Sequence, residues 1–495
     1  MRSTVFFKSS SGNLYFYDFL KKEIKHCHPI IHECHKLDNG DDYNTLFERL
    51  TNEQLLKYSK KELTYYCNKY YFYKGLGYFT SFEKEGFIPY EEKDIINSIS
   101  NINHIVFEIT DACNLQCKYC AYGELYDDYD ARSNKKMSFE TIKSLIEYLK
   151  PYWISHMNKS ADQVITIGFY GGEPLMNFEL IKETVEYCNK LRIPTRRFVF
   201  SMTTNATLID KYIDFLVSNN FNLTISLDGD EIGNSYRIFH NGKNSYSKVV
   251  ENVRDIQKRY PNYFSKHVSF NSVLHNRNSV ESTHSFIYEQ FGKIPEIHAI
   301  NSSGIKQEKK DEFNNMFVKY SDSSISKELK RVRFTSDANI FSLCQFLLMY
   351  GNNQFFDYVS FLYAENKKKY IRTGTCFPFS RKMYVTVNNK ILPCEKISAH
   401  YFIGQIKGGR VCLDFNDIAR KYNEYYSRMQ LNCKKCYLVN GCTQCIFQLN
   451  LKEKIPHCNG FSSHRDIKIH IQRFIDILED RNIEMKELLN NVFLS

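Results

Sequence analysis

Apolar positions in the middle of this chain follow two alternating periods. The run 104–110, His-Ile-Val-Phe-Glu-Ile-Thr, is β-branched and apolar and predicts a buried strand. After it, Ser138 opens a segment in which Ile142, Leu145, Ile146 and Leu149 fall at i, i+3, i+4 and i+7, one face of a helix. The two patterns then alternate. Strands are predicted over 164–170, 198–203, 222–227, 267–274 and 296–301. Between them lie helices over 178–192, 247–259 and 280–291, and one capped by Thr207 with Asp210 three residues on. Six strand–helix steps imply parallel strands joined by crossover helices, with chemistry at the strands' C-terminal ends.

The flanks read differently. Thr4-Val-Phe-Phe and Leu14-Tyr-Phe-Tyr predict two strands paired across the turn Ser9-Ser-Ser-Gly-Asn13. Residues 51–70 predict a helix with Leu55, Leu56, Tyr58 and Leu63 among its apolar positions. Tyr70-Tyr-Phe-Tyr, Gly75-Leu-Gly77 and Tyr78-Phe79 predict a hairpin wing. The polar stretch 302–337 begins a helical bridge, and 466–489, with Ile467, Ile471 and Ile475, predicts a closing helix. The expected domains are 1–97, 98–325, 326–371 and 372–495.

Chemistry enters through the cysteines. Cys113, Cys117 and Cys120 stand in C-x3-C-x2-C at the end of the first predicted strand of the series. Three thiolates hold a four-iron cluster with one iron left open for a substrate or cofactor. A structural zinc site prefers four closed ligands. At the next strand end, Gly171-Gly172-Glu173-Pro174 offers carbonyls and a carboxylate to an ammonium group. Thr204-Asn205 and Ser226 end the two strands that follow.

The form C-x3-C-x-aromatic-C, completed by Tyr119, resembles the signature of the radical S-adenosylmethionine (SAM) enzymes, and GFYGGEPL and TTNATL resemble the peptide maturases among them. The resemblance implies an α/β fold built on a partial (β/α)6 barrel. It implies a [4Fe–4S] cluster on Cys113, Cys117 and Cys120. It also implies a SAM site using Tyr119, Gly171, Gly172, Glu173, Asn205, Ser226 and, near the methionine carboxylate, Arg237.

The C-terminal series Cys433-x2-Cys436-x5-Cys442-x2-Cys445-x12-Cys458, preceded by Cys376 and Cys394, resembles a SPASM domain, which carries auxiliary clusters. By that resemblance Cys433, Cys436, Cys442 and Cys458 would hold one cluster. Cys376, Cys394 and Cys445 would hold three corners of the other, with Cys412 or an open iron as the fourth. Two features depart from the pattern: Cys442-x2-Cys445 is one residue short, and no second cysteine closely follows Cys376. The zinc alternative is a ribbon on Cys433, Cys436, Cys442 and Cys445. Before Cys394, residues 385–393 read as strand, turn and strand, with Asn389 where the family has Gly. Glu395 stands where sulfatase-maturing relatives carry an acidic proton acceptor, so it is the candidate catalytic base.

For the first 97 residues the resemblance implies a winged-helix-like domain that binds the leader of a precursor peptide at a sheet edge. A structural cap on the barrel is the alternative. His26, Cys27, His28, His32, Cys34 and His35 lie within ten residues and suggest a metal, but on a helix they face more than one way.

The implied activity is abstraction of hydrogen from a precursor peptide by a 5'-deoxyadenosyl radical, closing thioether or carbon–carbon links. An electron donor such as flavodoxin or ferredoxin would be a partner. Sulfatase-type oxidation of Cys or Ser to formylglycine and RNA modification are the enzymatic alternatives.

Charge and composition limit the remainder. There are 66 basic against 56 acidic residues in 495, a net charge of +10, and they are interspersed without an arginine-rich tract. That argues against nucleic acid. Sixteen cysteines at ligand spacings, with no signal-peptide pattern and no apolar run long enough to span a bilayer, place the expected site of action in a reducing cytoplasm.

Overall fold

The computed structural model describes residues 2–480 apart from 128–129, 131, 160–162, 195, 303, 319–370, 372, 439–441, 450 and 452. The expected helical bridge and the end of the closing helix therefore lie outside the described residues.

The alternating pattern folds as predicted into a mostly parallel sheet with helices between its strands. Strands β1 (Thr4–Lys8), β2 (Leu14–Asp18) and β3 (Glu23–His26) form a small antiparallel sheet. The large sheet contains β4 (His104–Thr110), β5 (Gln163–Gly171), β6 (Arg196–Thr204), β7 (Asn222–Ser226), β8 (Val268–Leu274) and β9 (Glu296–Ala299). These six pair in parallel, in sequence order. Connecting helices such as Phe139–Trp153, Phe178–Lys190, Tyr246–Arg259 and Val280–Phe291 bury the apolar faces read from their periodicity, against the sheet's Ile105, Phe107, Ile165, Ile167 and Ile225.

The sheet continues past β4. Strand β10 (Met383–Val385) lies parallel to β4, with Met383 opposite Ile105 and Val385 opposite Phe107. Strands β11 (Lys390–Leu392), β12 (Gly404–Lys407) and β13 (Arg410–Leu413) follow as antiparallel neighbours. The turn between β10 and β11 puts Asn389 at φ 62°, the left-handed conformation that its side chain tolerates.

Corrections fall at the N-terminus. Residues 51–70 are not one helix. Tyr43–Gln54 ends, and Lys60–Gly75 starts behind a capping box in which the Ser59 hydroxyl accepts from the Glu62 N–H. Leu55 and Leu56, read among the apolar positions of that helix, are exposed in the break. The hairpin wing is absent: residues 70–75 continue the helix because Leu63, Cys67 and Tyr70 share its buried face. A third strand, β3, stands upstream instead. On β1 and β2, Val5, Phe7 and Tyr17 pack on Ile467, Ile471 and Ile475 of the terminal helix His464–Asp480. Phe6 and Phe16 face the three helices Pro29–Leu37, Tyr43–Gln54 and Lys60–Gly75. In the histidine-rich segment, His28 stacks on Tyr66 at 3.8 Å and His32 on Phe6 at 4.5 Å. Among the described residues no three His, Cys, Asp or Glu side chains close on a single-ion site.

Trp153 anchors the first crossover helix. It is fully buried, and its indole N–H donates to the Ile102 carbonyl at 2.8 Å. Trp153→Ala is expected to lower stability by about 3–5 kcal/mol, from the cavity and the orphaned carbonyl. Urea unfolding followed by circular dichroism checks this, since the chain's single tryptophan is lost with the mutation.

Candidate functional site

Strand β4 ends at Thr110, and the chain turns at once into the loop that carries Cys113, Cys117 and Cys120, all half-buried. The loop is fixed from the far side of the sheet. Gln116 donates its N–H to the Ile238 carbonyl at 2.7 Å, and Lys118 to that of Tyr236 at 3.1 Å. Burial pushes the Cys113 thiol up to about 11 and that of Cys117 to about 12. A cluster bound here would therefore displace protons as it forms.

Glu173 is the buried carboxylate of this end. It accepts from the Asn205 N–H and the Thr204 hydroxyl, both at 2.8 Å, and from the Leu175 N–H at 3.1 Å. Burial nevertheless pushes it up to about 7. A buried carboxylate served only by neutral donors suits an ammonium group, as SAM requires.

The two glycines before it have a reason that the sequence reading missed. A Cβ on Gly171 would stand 2.1 Å from the Thr110 carbonyl oxygen, and one on Gly172 2.1 Å from that of Ala112. They are small so that the β5 turn can lie on the cysteine loop, where Gly172 and Glu173 donate to those same carbonyls at 2.8 Å. Asn205 bridges the two parts, its amide reaching Asn114 at 3.0 Å and the Cys113 sulfur at 3.8 Å.

Asp228, two residues past the end of β7, is a buried hub. Arg237 grips it through Nε and Nη2 at 3.0 and 3.1 Å, the Tyr119 hydroxyl donates to it, and the Val273 N–H reaches it at 2.9 Å. Burial opposes its charge, but Arg237 foremost holds its carboxyl below the usual range. Two guanidinium nitrogens of Arg237 are thus committed to Asp228. Thr207 does not cap a helix; its hydroxyl donates to Asn205 and accepts from Asn114, and helical turns begin at Ile209. Ser226 closes β7, nearly buried.

Beside the cysteine loop a small cleft lies over β4 and the β10–β11 hairpin, lined by Glu108, Tyr122, Asp130, Tyr384, Asn388 and Glu395. Lys382 donates to Glu395 Oε1 at 3.0 Å, while Oε2 is buried without a hydrogen-bond partner. Burial raises this carboxyl, but Lys382 above all brings it below its ordinary value. Glu108 is the opposite case. It accepts from the Val387 N–H at 2.9 Å, and burial pushes it up to about 7. The Tyr122 and Tyr384 hydroxyls meet at 3.1 Å. Glu108 and Arg132, whose Nη2 lies 3.1 Å from the Cys120 sulfur, were not among the expected residues. A lone acid inside the apolar run of β4 was the available signal for Glu108; Arg132 had none.

Of the C-terminal cysteines, Cys433, Cys436, Cys442 and Cys458 lie close enough to act on one another's charge. Cys445 senses Cys376 in the same way. Cys394 immediately precedes Glu395, and burial pushes its thiol up to about 12. Cys412 is exposed on β13, its thiol 3.7 Å from the Arg410 carbonyl.

Residues 107–287 match the family model described as the Radical SAM superfamily. An uncharacterized protein of Methanocaldococcus jannaschii is 35% identical over 148 residues, which is 30% of this chain and 46% of that protein, so less than half of the relative's length is spanned. A cysteine-type anaerobic sulfatase-maturating enzyme of Clostridium novyi is 24% identical over 359 residues, covering 68% of this chain and 86% of its own. Among solved structures, native anSMEcpe with bound AdoMet and the Kp18Cys peptide superposes with a TM-score of 0.50 at 18% identity, over 77% of this chain and 98% of that one. That likeness is one of fold.

Two outcomes follow from the carboxylates. Glu173→Gln should lose most of the SAM affinity of the cluster-reconstituted protein, measured by equilibrium dialysis, because a buried ammonium would face a neutral amide. Glu108 has its folded pKa above the ordinary 4.5, so its contribution to stability is complete below about pH 4.5 and is lost as pH rises through about 7. Glu108→Gln should therefore gain on wild type by up to about 3 kcal/mol between pH 5 and pH 8 in urea unfolding.

Proposed function

We propose that this chain, whose residues 107–287 form a radical SAM domain, matures a ribosomally made precursor peptide, installing thioether or carbon–carbon links. The observation that carries the reading is the junction at the end of β4. There the three-thiol loop, the Glu173 cradle and the cleft containing Glu395 share one stretch of backbone.

SAM bound at a [4Fe–4S] cluster supplies one-electron, hydrogen-abstracting chemistry. The protein's share is to hold and orient. Cys113, Cys117 and Cys120 would hold the cluster. Glu173 would take the ammonium of SAM, with Gly171, Gly172, Asn205, Ser226, Tyr119 and Arg237 completing the site. The cleft would receive the reacting side chain. Glu395, charged and with Oε2 unpartnered, would accept the proton of a thiol or hydroxyl. Cys433, Cys436, Cys442 and Cys458 would carry one auxiliary cluster, and Cys376, Cys394 and Cys445 another, as outlets for the electron released on bond closure.

The N-terminal domain supports a peptide as substrate. Its β3 pairs only with β2 among the described residues, which leaves a strand edge that an extended leader could join. The second reading is sulfatase-type oxidation of a cysteine or serine. The position of Glu395 in the cleft favours it, and so does the relative of that name matched over 86% of its length.

The test is anaerobic co-expression with the short peptide encoded nearest to the gene, followed by tandem mass spectrometry. Two hydrogens should be lost per link, and none in the Cys113→Ala, Cys117→Ala, Cys120→Ala triple variant. A single residue converted to an aldehyde, with no link between residues in the fragments (cysteine losing sulfur and two hydrogens and gaining oxygen, or serine losing two hydrogens), would select the second reading. An unmodified peptide from an iron-replete, SAM-cleaving enzyme would overturn the pairing.

A further inference from the structure

One buried cation serves neither the strand-end site nor the cleft. Lys84 lies in the segment that leaves the N-terminal domain, and only 5% of it is exposed. Its Nζ donates to the carbonyl of Cys433 at 3.2 Å and to that of Cys436. Among the described residues no carboxylate pairs with it. An unpaired buried ammonium is costly, whereas a four-thiolate metal centre carries net negative charge. The cation and the cysteine set therefore each supply what the other lacks.

The segment is also firmly seated. The Gly86 carbonyl accepts from the Ile371 N–H at 2.8 Å. Phe87 stacks on Tyr426 at 4.7 Å, and the Tyr90 N–H donates to Asn423 at 2.8 Å. Tyr426 and Asn423 belong to the helix Phe415–Lys435, which delivers Cys433.

We propose that Lys84 is the counter-cation of the metal–thiolate centre on Cys433, Cys436, Cys442 and Cys458, a positioning residue that holds the ligand loop by its carbonyls and raises the centre's reduction potential by its charge. This rests on the auxiliary cluster of the proposed function. A fixed positive charge favours the more negative, reduced state, and hydrogen bonds and charge near the sulfurs are established levers on cluster potential. The segment also ties this centre directly to the exit of the N-terminal domain.

The test uses the full-length reconstituted protein with the triple change of Cys113, Cys117 and Cys120 to Ala, so that only auxiliary signals remain. Lys84→Gln keeps donors for the two carbonyls and removes the charge; Lys84→Arg keeps both. An anaerobic redox titration followed by electron paramagnetic resonance should show one auxiliary signal moving to lower potential in Lys84→Gln and staying in place in Lys84→Arg, with circular dichroism unchanged. Equal midpoints in wild type and Lys84→Gln would overturn the proposal. If Lys84→Gln fails to fold, Lys84→Met in a background lacking the centre (Cys433→Ser, Cys436→Ser) decides. A neutral residue tolerated there and not in the intact centre supports the pairing, and intolerance in both overturns it. Zinc without auxiliary iron would defeat the cluster reading by itself. Lys84 would then be judged by chelator competition, where weaker zinc retention in Lys84→Gln supports the counter-cation and unchanged retention overturns it.

Discussion

Strand β4 is paired on both edges, and the site depends on that pairing. With β5 on one side and β10 on the other, all three parallel, its backbone cannot slide without breaking two ladders. Its C-terminal end therefore delivers the cysteine loop to a fixed place. The β5 edge contributes Gly172 and Glu173, which donate to carbonyls of that loop, and the β10 edge contributes the cleft. Tyr384 sits opposite Val106, so the hairpin that precedes Cys394 and Glu395 is registered against the strand that precedes Cys113. One register thus relates two cysteine groups nearly 300 residues apart in sequence.

Buried charge is distributed on the same principle, each group answered by its neighbourhood. Asp228 is answered by Arg237 and Tyr119, and Glu395 by Lys382. Glu173 and Glu108 have only neutral donors within hydrogen-bond reach, and both are pushed up to about 7. A carboxylate paired with a cation stays charged in the fold, whereas one served only by neutral donors is pushed toward its protonated form. Lys84 is the same case with the sign reversed.

Much of this was legible in the chain. The six parallel strands, their order and the helices between them followed from period 2 and period 3.6 patterns long enough to be unambiguous, and Val280–Phe291 matched its predicted bounds. The cysteine spacings and the GGEP turn stand out in the chain because they are local in sequence. The failures occurred where local signals compete. Ser59 and Glu62 start a second helix through two hydrogen bonds that no hydrophobic period records. Tyr70 through Gly75 are aromatic-rich and suited a strand, but Leu63 and Cys67 on the same helical face decided otherwise.

By itself, the sequence determined the class of fold, the reactive loop and which side chains could carry the chemistry, since those depend on residue type and short spacing. Tertiary structure alone decided how they are used. It closed Asp228 off from solvent, laid Gly171 and Gly172 on the carbonyls of Thr110 and Ala112, and raised Glu108 by burying it. It also placed Lys84 on carbonyls roughly 350 positions away. Electrostatic environment is set by what surrounds a group in space, and in this chain those surroundings come from segments that the sequence keeps far apart.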